Sequence, residues 1–223
     1  MTKKDNLIQI ENNIANACEK AGRNNDVHLI AVTKTIDADG IRELYDLGLR
    51  NFGENRADVF LEKYEALKGL SDIVWHFIGS LQTRKVRDIV DKVDAIHSVD
   101  RPSLAKEIEK RATKLTPCFL QINISGEESK HGFTKESAIR FLKEADFKNI
   151  EMIGLMTMAP LTENVGELHQ VFHELKQLQL DIQKLGLNRV PCKELSMGMT
   201  NDYMIAIEEG ATHIRVGRAL VNE

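Results

Sequence analysis

Eight short apolar runs recur along the chain, and between them lie stretches whose apolar residues repeat with helical spacing. The first run is Val27-His28-Leu29-Ile30-Ala31-Val32-Thr33-Lys34, and the others cover 49–53, 73–78, 95–99, 117–122, 151–155, 194–196 and 213–216. Strand and helix alternating with short connections demand a parallel sheet. Eight repeats within 223 residues fit a (β/α)8 barrel, whereas a doubly wound sheet usually has fewer strands in that length. The expectation is one domain over 1–223, a TIM barrel preceded by an extra helix. That helix is marked by Leu7, Ile10, Ile14, Ala17 and Ala21, with Gly22 as its stop.

The other helices carry their own signals. Leu168, Val171, Phe172, Leu175, Leu178, Ile182 and Leu185 share one side of a helix over 163–185. Asp100-Arg101-Pro102 opens another, with proline in the first turn, where its missing N–H costs nothing. Gly48, Gly186 and Gly210 each stand between a helix and the next strand, as C-cap glycines do.

With 42% hydrophobic and 29% charged residues the chain can bury a sizeable core. A formal charge of -4, with basic and acidic residues mixed along the helices, argues against nucleic-acid binding. No signal-like apolar segment follows Met1-Thr2-Lys3-Lys4, and no run approaches the ~20 residues of a membrane span, so a cytoplasmic protein is expected. Cys18, Cys118 and Cys192 are far apart and form no C-x-x-C pair, which points to reduced, buried thiols. His169 and His173 stand four apart on a helix without an evident third ligand, so no metal site is assigned.

In a barrel the functional face lies at the carboxyl ends of the strands. Those ends carry Lys34, then Gly53-Glu54-Asn55, His76 with Gly79-Ser80, Asn123, Met156-Thr157, the segment Ser196 to Thr200, and Arg215-Val216-Gly217-Arg218. Ser196-Met197-Gly198-Met199-Thr200-Asn201-Asp202 runs into a helix over 203–209 and suits a phosphate: free N–H groups, close approach at Gly198, and hydroxyls on Ser196 and Thr200. Gly217 adds another approachable N–H. Asp202 would repel a dianion, so its side chain is expected to point away and cap the helix. The same segment also reads as an ordinary N-cap with flexible methionines, and Lys34 as a lysine snorkelling from a strand end.

An amine and a phosphate site facing one cavity fit pyridoxal 5'-phosphate, with Lys34 forming the internal aldimine and Arg215 meeting the ring nitrogen. Arginine does not take the pyridinium proton, so the ring would stay unprotonated and be a weak electron sink. Asn55 is placed to face the ring; His76 either lines the pocket or is an inward histidine with a satisfied hydrogen bond. Glu54 also reads as a turn residue. No residue is assigned a catalytic role. The polar loop over 125–132 lies on the pocket side, and its Lys130 is either a transient captor of the aldehyde or a solvated lysine.

Ala31-Val32-Thr33-Lys34-Thr35, Phe52-Gly53-Glu54-Asn55, Trp75-His76-Phe77-Ile78-Gly79 with Leu81-Gln82, Gly154-Leu155-Met156-Thr157-Met158, Leu195-Ser196-Met197-Gly198-Met199-Thr200 and Ile214-Arg215-Val216-Gly217 form six ordered blocks. In these the chain resembles the YggS/PROSC family of pyridoxal 5'-phosphate-binding homeostasis proteins. The resemblance spans nearly the whole sequence. It implies a barrel like the N-terminal domain of alanine racemase (fold type III), a Schiff base at Lys34, and buffering or delivery of the cofactor to apo-enzymes without established turnover. The chain departs from the family pattern at Arg84, where L-Q-x-N-K is usual, at Arg218, where a small hydroxyl residue is usual, and in a slightly shorter tail ending at Asn222-Glu223. Arg218 either adds charge to the phosphate site or occludes it.

The rival is an amino-acid racemase using the same lysine. Racemisation needs groups on both faces of the substrate carbon, and alanine racemases draw the second from a tyrosine of a partner's added β-domain. Here Tyr45, Tyr64 and Tyr203 all fall on expected helices, no such domain is expected, and a monomer is plausible. A third class, a sugar-phosphate barrel enzyme, would use Lys34 for a substrate imine.

Overall fold

The computed structural model describes residues 2–126 and 131–221. Its strands are β1 His28–Val32, β2 Asn51–Glu54, β3 Val74–Phe77, β4 Ala95–Val99, β5 Thr116–Gln121, β6 Ile150–Met156, β7 Glu194–Met199 and β8 His213–Val216. They pair in chain order, all parallel, and β8 closes onto β1 with His28 opposite His213 and Ala31 opposite Val216. The helices are α1 Lys3–Lys20, α2 Ala38–Asp46, α3 Ala57–Leu67, α4 Val86–Ile89, α5 Pro102–Arg111, α6 Lys135–Glu144, α7 Val165–Lys184, α8 Tyr203–Glu208 and α9 Arg218–Val221. This is the expected (β/α)8 barrel with an added first helix.

Element ends follow local hydrogen bonding. The Thr33 N–H still reaches Gly53 O at 3.2 Å, but the Ile36 N–H turns back onto Thr33 O at 3.1 Å, so β1 stops at Val32 and Lys34 stands in a turn. Helix α7 begins where Asn164 Oδ1 accepts the Glu167 N–H at 3.3 Å. Helix α5 begins at Pro102, while Asp100 pairs with Arg101 instead of capping. Gly48, Gly186 and Gly210 take φ of +102°, +60° and +101°, the left-handed geometry of a C-cap. Strand β7 runs three residues beyond its expected end, through Gly198 to Met199, with an irregular register against β8.

The main core lies between barrel and helices, where Ile41, Leu44, Phe60, Leu104, Ile108, Phe172 and Leu175 are fully buried. Each such side chain contributes about 1.5–3 kcal/mol. Helix α1 buries Leu7, Ile10 and Ile14 and packs on α8 and α9. Polar bonds pin it there: Asn13 Nδ2 donates to the Tyr203 hydroxyl at 2.9 Å, and Lys20 meets Glu208 at 2.8 Å. Inside the barrel the filling is different. Beside a small apolar cluster of Ala95, Phe119 and Met156 stand His76, His97, Ser196, His213 and Arg215, all buried and touching across the barrel. Branched aliphatic residues usually fill such an interior. Among the described residues no helix is long and apolar enough to cross a membrane.

Candidate functional site

A cavity of about 1170 Å³ opens at the carboxyl ends of the strands. Lys34, Asn55, Met199, Thr200, Arg215 and Gly217 all line it, so residues from β1, β2, β7 and β8 or the turns after them converge as the sequence predicts. Arg218 and Asp202 join the wall, and Met158, Pro160 and Leu161 form part of the rim.

The turn carrying Lys34 is held from behind. Thr33 is buried; its hydroxyl donates to Glu54 Oε1 at 2.6 Å, while Lys63 Nζ donates to the same oxygen at 2.7 Å and to Thr33 O at 2.8 Å. Glu54 is therefore a buried anchor of the β1 and β2 ends and not merely a turn residue. Asn55 reaches the cavity because Gly79 lets β3 pass close by: a Cβ at Gly79 would lie 2.0 Å from Asn55 O.

Arg215 is 5% exposed, and burial pulls its guanidinium down to about 10, with Asp202 pulling the other way. Nη1 donates to Ser196 Oγ at 2.6 Å and Ser196 O at 3.1 Å, and Nη2 donates to Thr157 O at 3.0 Å. The turns after β7 and β8 are joined by the Gly217 N–H, which reaches Thr200 Oγ1 at 3.4 Å.

Three of the expected cofactor residues lie off the cavity wall. His76 is not on the cavity wall; it is buried inside the barrel, hydrogen-bonded to His97 at 2.9 Å and to Asn51 at 3.0 Å, and burial lowers its pKa to about 3. Ser196 is fully buried beneath the wall, its hydroxyl shared between Arg215 and His97. Gly198 serves α8 packing: at φ +94°, a Cβ there would meet Ala206 Cβ at 2.7 Å and Tyr203 Cα at 2.9 Å. Asp202 departs from expectation too. It makes no helix cap; Oδ1 accepts the Met199 N–H at 2.5 Å on the cavity wall, and burial raises its pKa.

His97, which sequence reasoning missed, is completely buried at the centre of β4 and stacks on Phe119. Its one signal is an imidazole within the apolar run Ala95 to Val99. Arg84 bonds Gln82 outside the cavity wall, and Lys130 lies outside the described residues, although His131 beyond it lines the cavity. His169 and His173 both face Glu209, at 2.7 and 3.1 Å.

Comparison with known proteins agrees with this fold. The family model for the N-terminal domain of alanine racemase matches residues 6–222. The pyridoxal phosphate homeostasis protein of Aquifex aeolicus is 42% identical over 100% of this chain and 99% of its own length. PipY of Synechococcus elongatus, solved with PLP bound, superposes with a TM-score of 0.87 at 31% identity, covering 99% of this chain and 100% of that one. Alanine racemase of Corynebacterium glutamicum shares the fold, with a TM-score of 0.66 at 16% identity over 95% of this chain and 59% of the racemase. The chain belongs to the alanine racemase N-terminal domain family and, within it, to the pyridoxal phosphate homeostasis proteins.

Proposed function

We propose that this chain binds pyridoxal 5'-phosphate at Lys34 and buffers or delivers it to apo-enzymes, as one cytoplasmic domain over 1–223 acting as a monomer without catalytic turnover. The observation that carries this reading is the convergence on one cavity of a primary amine, a buried guanidinium and a hydroxyl beside backbone N–H groups. That donor set fits the group, which needs an amine for its aldehyde, a partner for its ring nitrogen and donors for its phosphate. The PLP-bound relative supports it.

When bound, the group supplies an aldehyde that condenses with a primary amine and a ring that accepts electrons. Lys34 presents the amine on a turn fixed by the Thr33, Glu54 and Lys63 bonds. Arg215 would donate to the ring nitrogen and keep a proton off it, since guanidinium is a donor only. Thr200, the Gly217 N–H and Arg218 would face the phosphate and Asn55 would flank the ring, since all four residues line the cavity. No tyrosine lines the cavity: Tyr45 is on α2, Tyr64 on α3, and the Tyr203 hydroxyl is engaged by Asn13. An acid or base for the second face of a substrate carbon is thus not supplied by a tyrosine of this chain, which supports holding over racemisation.

The test is the visible spectrum of the purified protein with and without added cofactor, beside Lys34→Ala. A Lys34-dependent band is expected, with no racemisation of added amino acids. No band even with excess cofactor would sink the reading.

A further inference from the structure

From Arg215 a line of hydrogen bonds leads away from the cavity and down the barrel interior. Arg215 Nη1 lies 2.6 Å from Ser196 Oγ, Ser196 Oγ 2.8 Å from His97 Nδ1, His97 Nε2 2.9 Å from His76 Nδ1, and His76 Nε2 3.0 Å from Asn51 Oδ1 at the start of β2. Five residues from β8, β7, β4, β3 and β2 are thereby linked.

The two ends fix the direction of every bond. Guanidinium only donates, so Ser196 Oγ accepts from it; an amide oxygen only accepts, so His76 must carry its proton on Nε2. A neutral His76 then offers a bare Nδ1, which takes the His97 Nε2 proton. His97 Nδ1 is left bare and accepts from the Ser196 hydroxyl. The reverse order would set two lone pairs face to face at His76 and Asn51. Both rings are neutral because burial lowers their pKa values, that of His76 to about 3.

Resting on the proposed cofactor site, we infer that His97 and His76 are positioning residues for the ring contact: through Ser196 they form a one-way hydrogen-bond chain that holds the Arg215 guanidinium at the cavity wall. Every acceptor in the chain faces the arginine end. No carboxylate hydrogen-bonds Arg215 among the described residues, so oriented dipoles and two carbonyls compensate its charge together with the through-space field of Asp202. Such dipoles cost no reorganisation when a ligand arrives. The chain is not a proton conduit, because a guanidinium and an amide, its two ends, do not exchange protons readily at neutral pH.

Side-chain 15N NMR of the cofactor-free protein tests the chain whether or not the cofactor binds. Both His76 and His97 are expected as the Nε2–H tautomer at neutral pH; an Nδ1–H tautomer or an imidazolium at either ring overturns the proposal. Two variants then test the link to the cofactor. His97→Leu removes both bonds, and cofactor affinity should fall about tenfold with a shifted visible band. His97→Gln keeps one acceptor and one donor, and should stay within about threefold of the parent with its band in place. Equal binding and identical spectra in all three proteins would overturn the positioning role. If His97→Leu does not fold, the glutamine variant and the tautomers still decide. Failure of the parent itself to bind would overturn the cofactor site and its positioning together, a result distinct from a wrong tautomer.

Discussion

Lys63 on α3 donates to Glu54 at the end of β2 across 2.7 Å, and the two side chains are only 7% and 0% exposed. Glu54 Oε2 has no further partner, so the carboxylate depends on Lys63 and the Thr33 hydroxyl for compensation. Lys63→Met should therefore cost about 3–5 kcal/mol in urea unfolding, the penalty of an uncompensated buried charge. Adding Glu54→Gln should restore a large part. A single variant as stable as the parent would show that water reaches this carboxylate.

Asp202 sets a negative charge on the same wall as Thr200 and Gly217. Asp202→Asn keeps an oxygen for the Met199 N–H but removes the charge. Binding of pyridoxal phosphate should tighten roughly threefold to tenfold, while pyridoxal, which has no phosphate, should bind as before. Equal effects on both ligands would place Asp202 away from the phosphate.

Gly79 admits no side chain, with Asn55 O only 2.0 Å from where a Cβ would stand. Gly79→Ala must push the β2 and β3 ends apart and displace Asn55. A loss of about 1–3 kcal/mol is expected, together with a changed cofactor spectrum. Unaltered thermal unfolding and spectrum would contradict this packing.

The buried rings make stability fall on the acid side. Burial holds His76 at about 3 and His213 at about 2, and pushes His97 well down, whereas in the unfolded chain each takes a proton below about 6.5. Stability is therefore full above that value and is lost as pH falls towards 3. Each ring contributes about 1.4 kcal/mol per pH unit, or about 4 kcal/mol for three. Between about pH 6.5 and 5 few carboxylates titrate, so urea unfolding there isolates the histidines. His76→Gln should reduce the slope by one proton; a flat profile in the parent would mean that the rings are charged when folded.

Strand positions were legible because a parallel barrel strand is buried on both faces and reads as an apolar run. From the strand ends followed Lys34, Asn55, Thr200, Arg215 and Gly217, since topology alone carries such residues to one face. His97 was not legible, because its meaning lies in Ser196, on a strand distant in sequence. Gly198 and Asp202 have structural roles that differ from their sequence reading for a local reason. A glycine and an acid before a helix fit an anion site and a cap, but α8 packs on the glycine and the Met199 N–H lies within the acid's reach. Sequence periodicity does not distinguish these outcomes.

The pairing of β8 with β1 has a consequence for biosynthesis. The amine belongs to the first strand's turn and the guanidinium to the last strand, so a ribosome-bound chain owns one long before the other. Only when the final strand emerges and zips onto the first do the two share a cavity. A nascent barrel thus meets its ligand as a closed ring, and ligand uptake waits on the pairing of the last strand with the first.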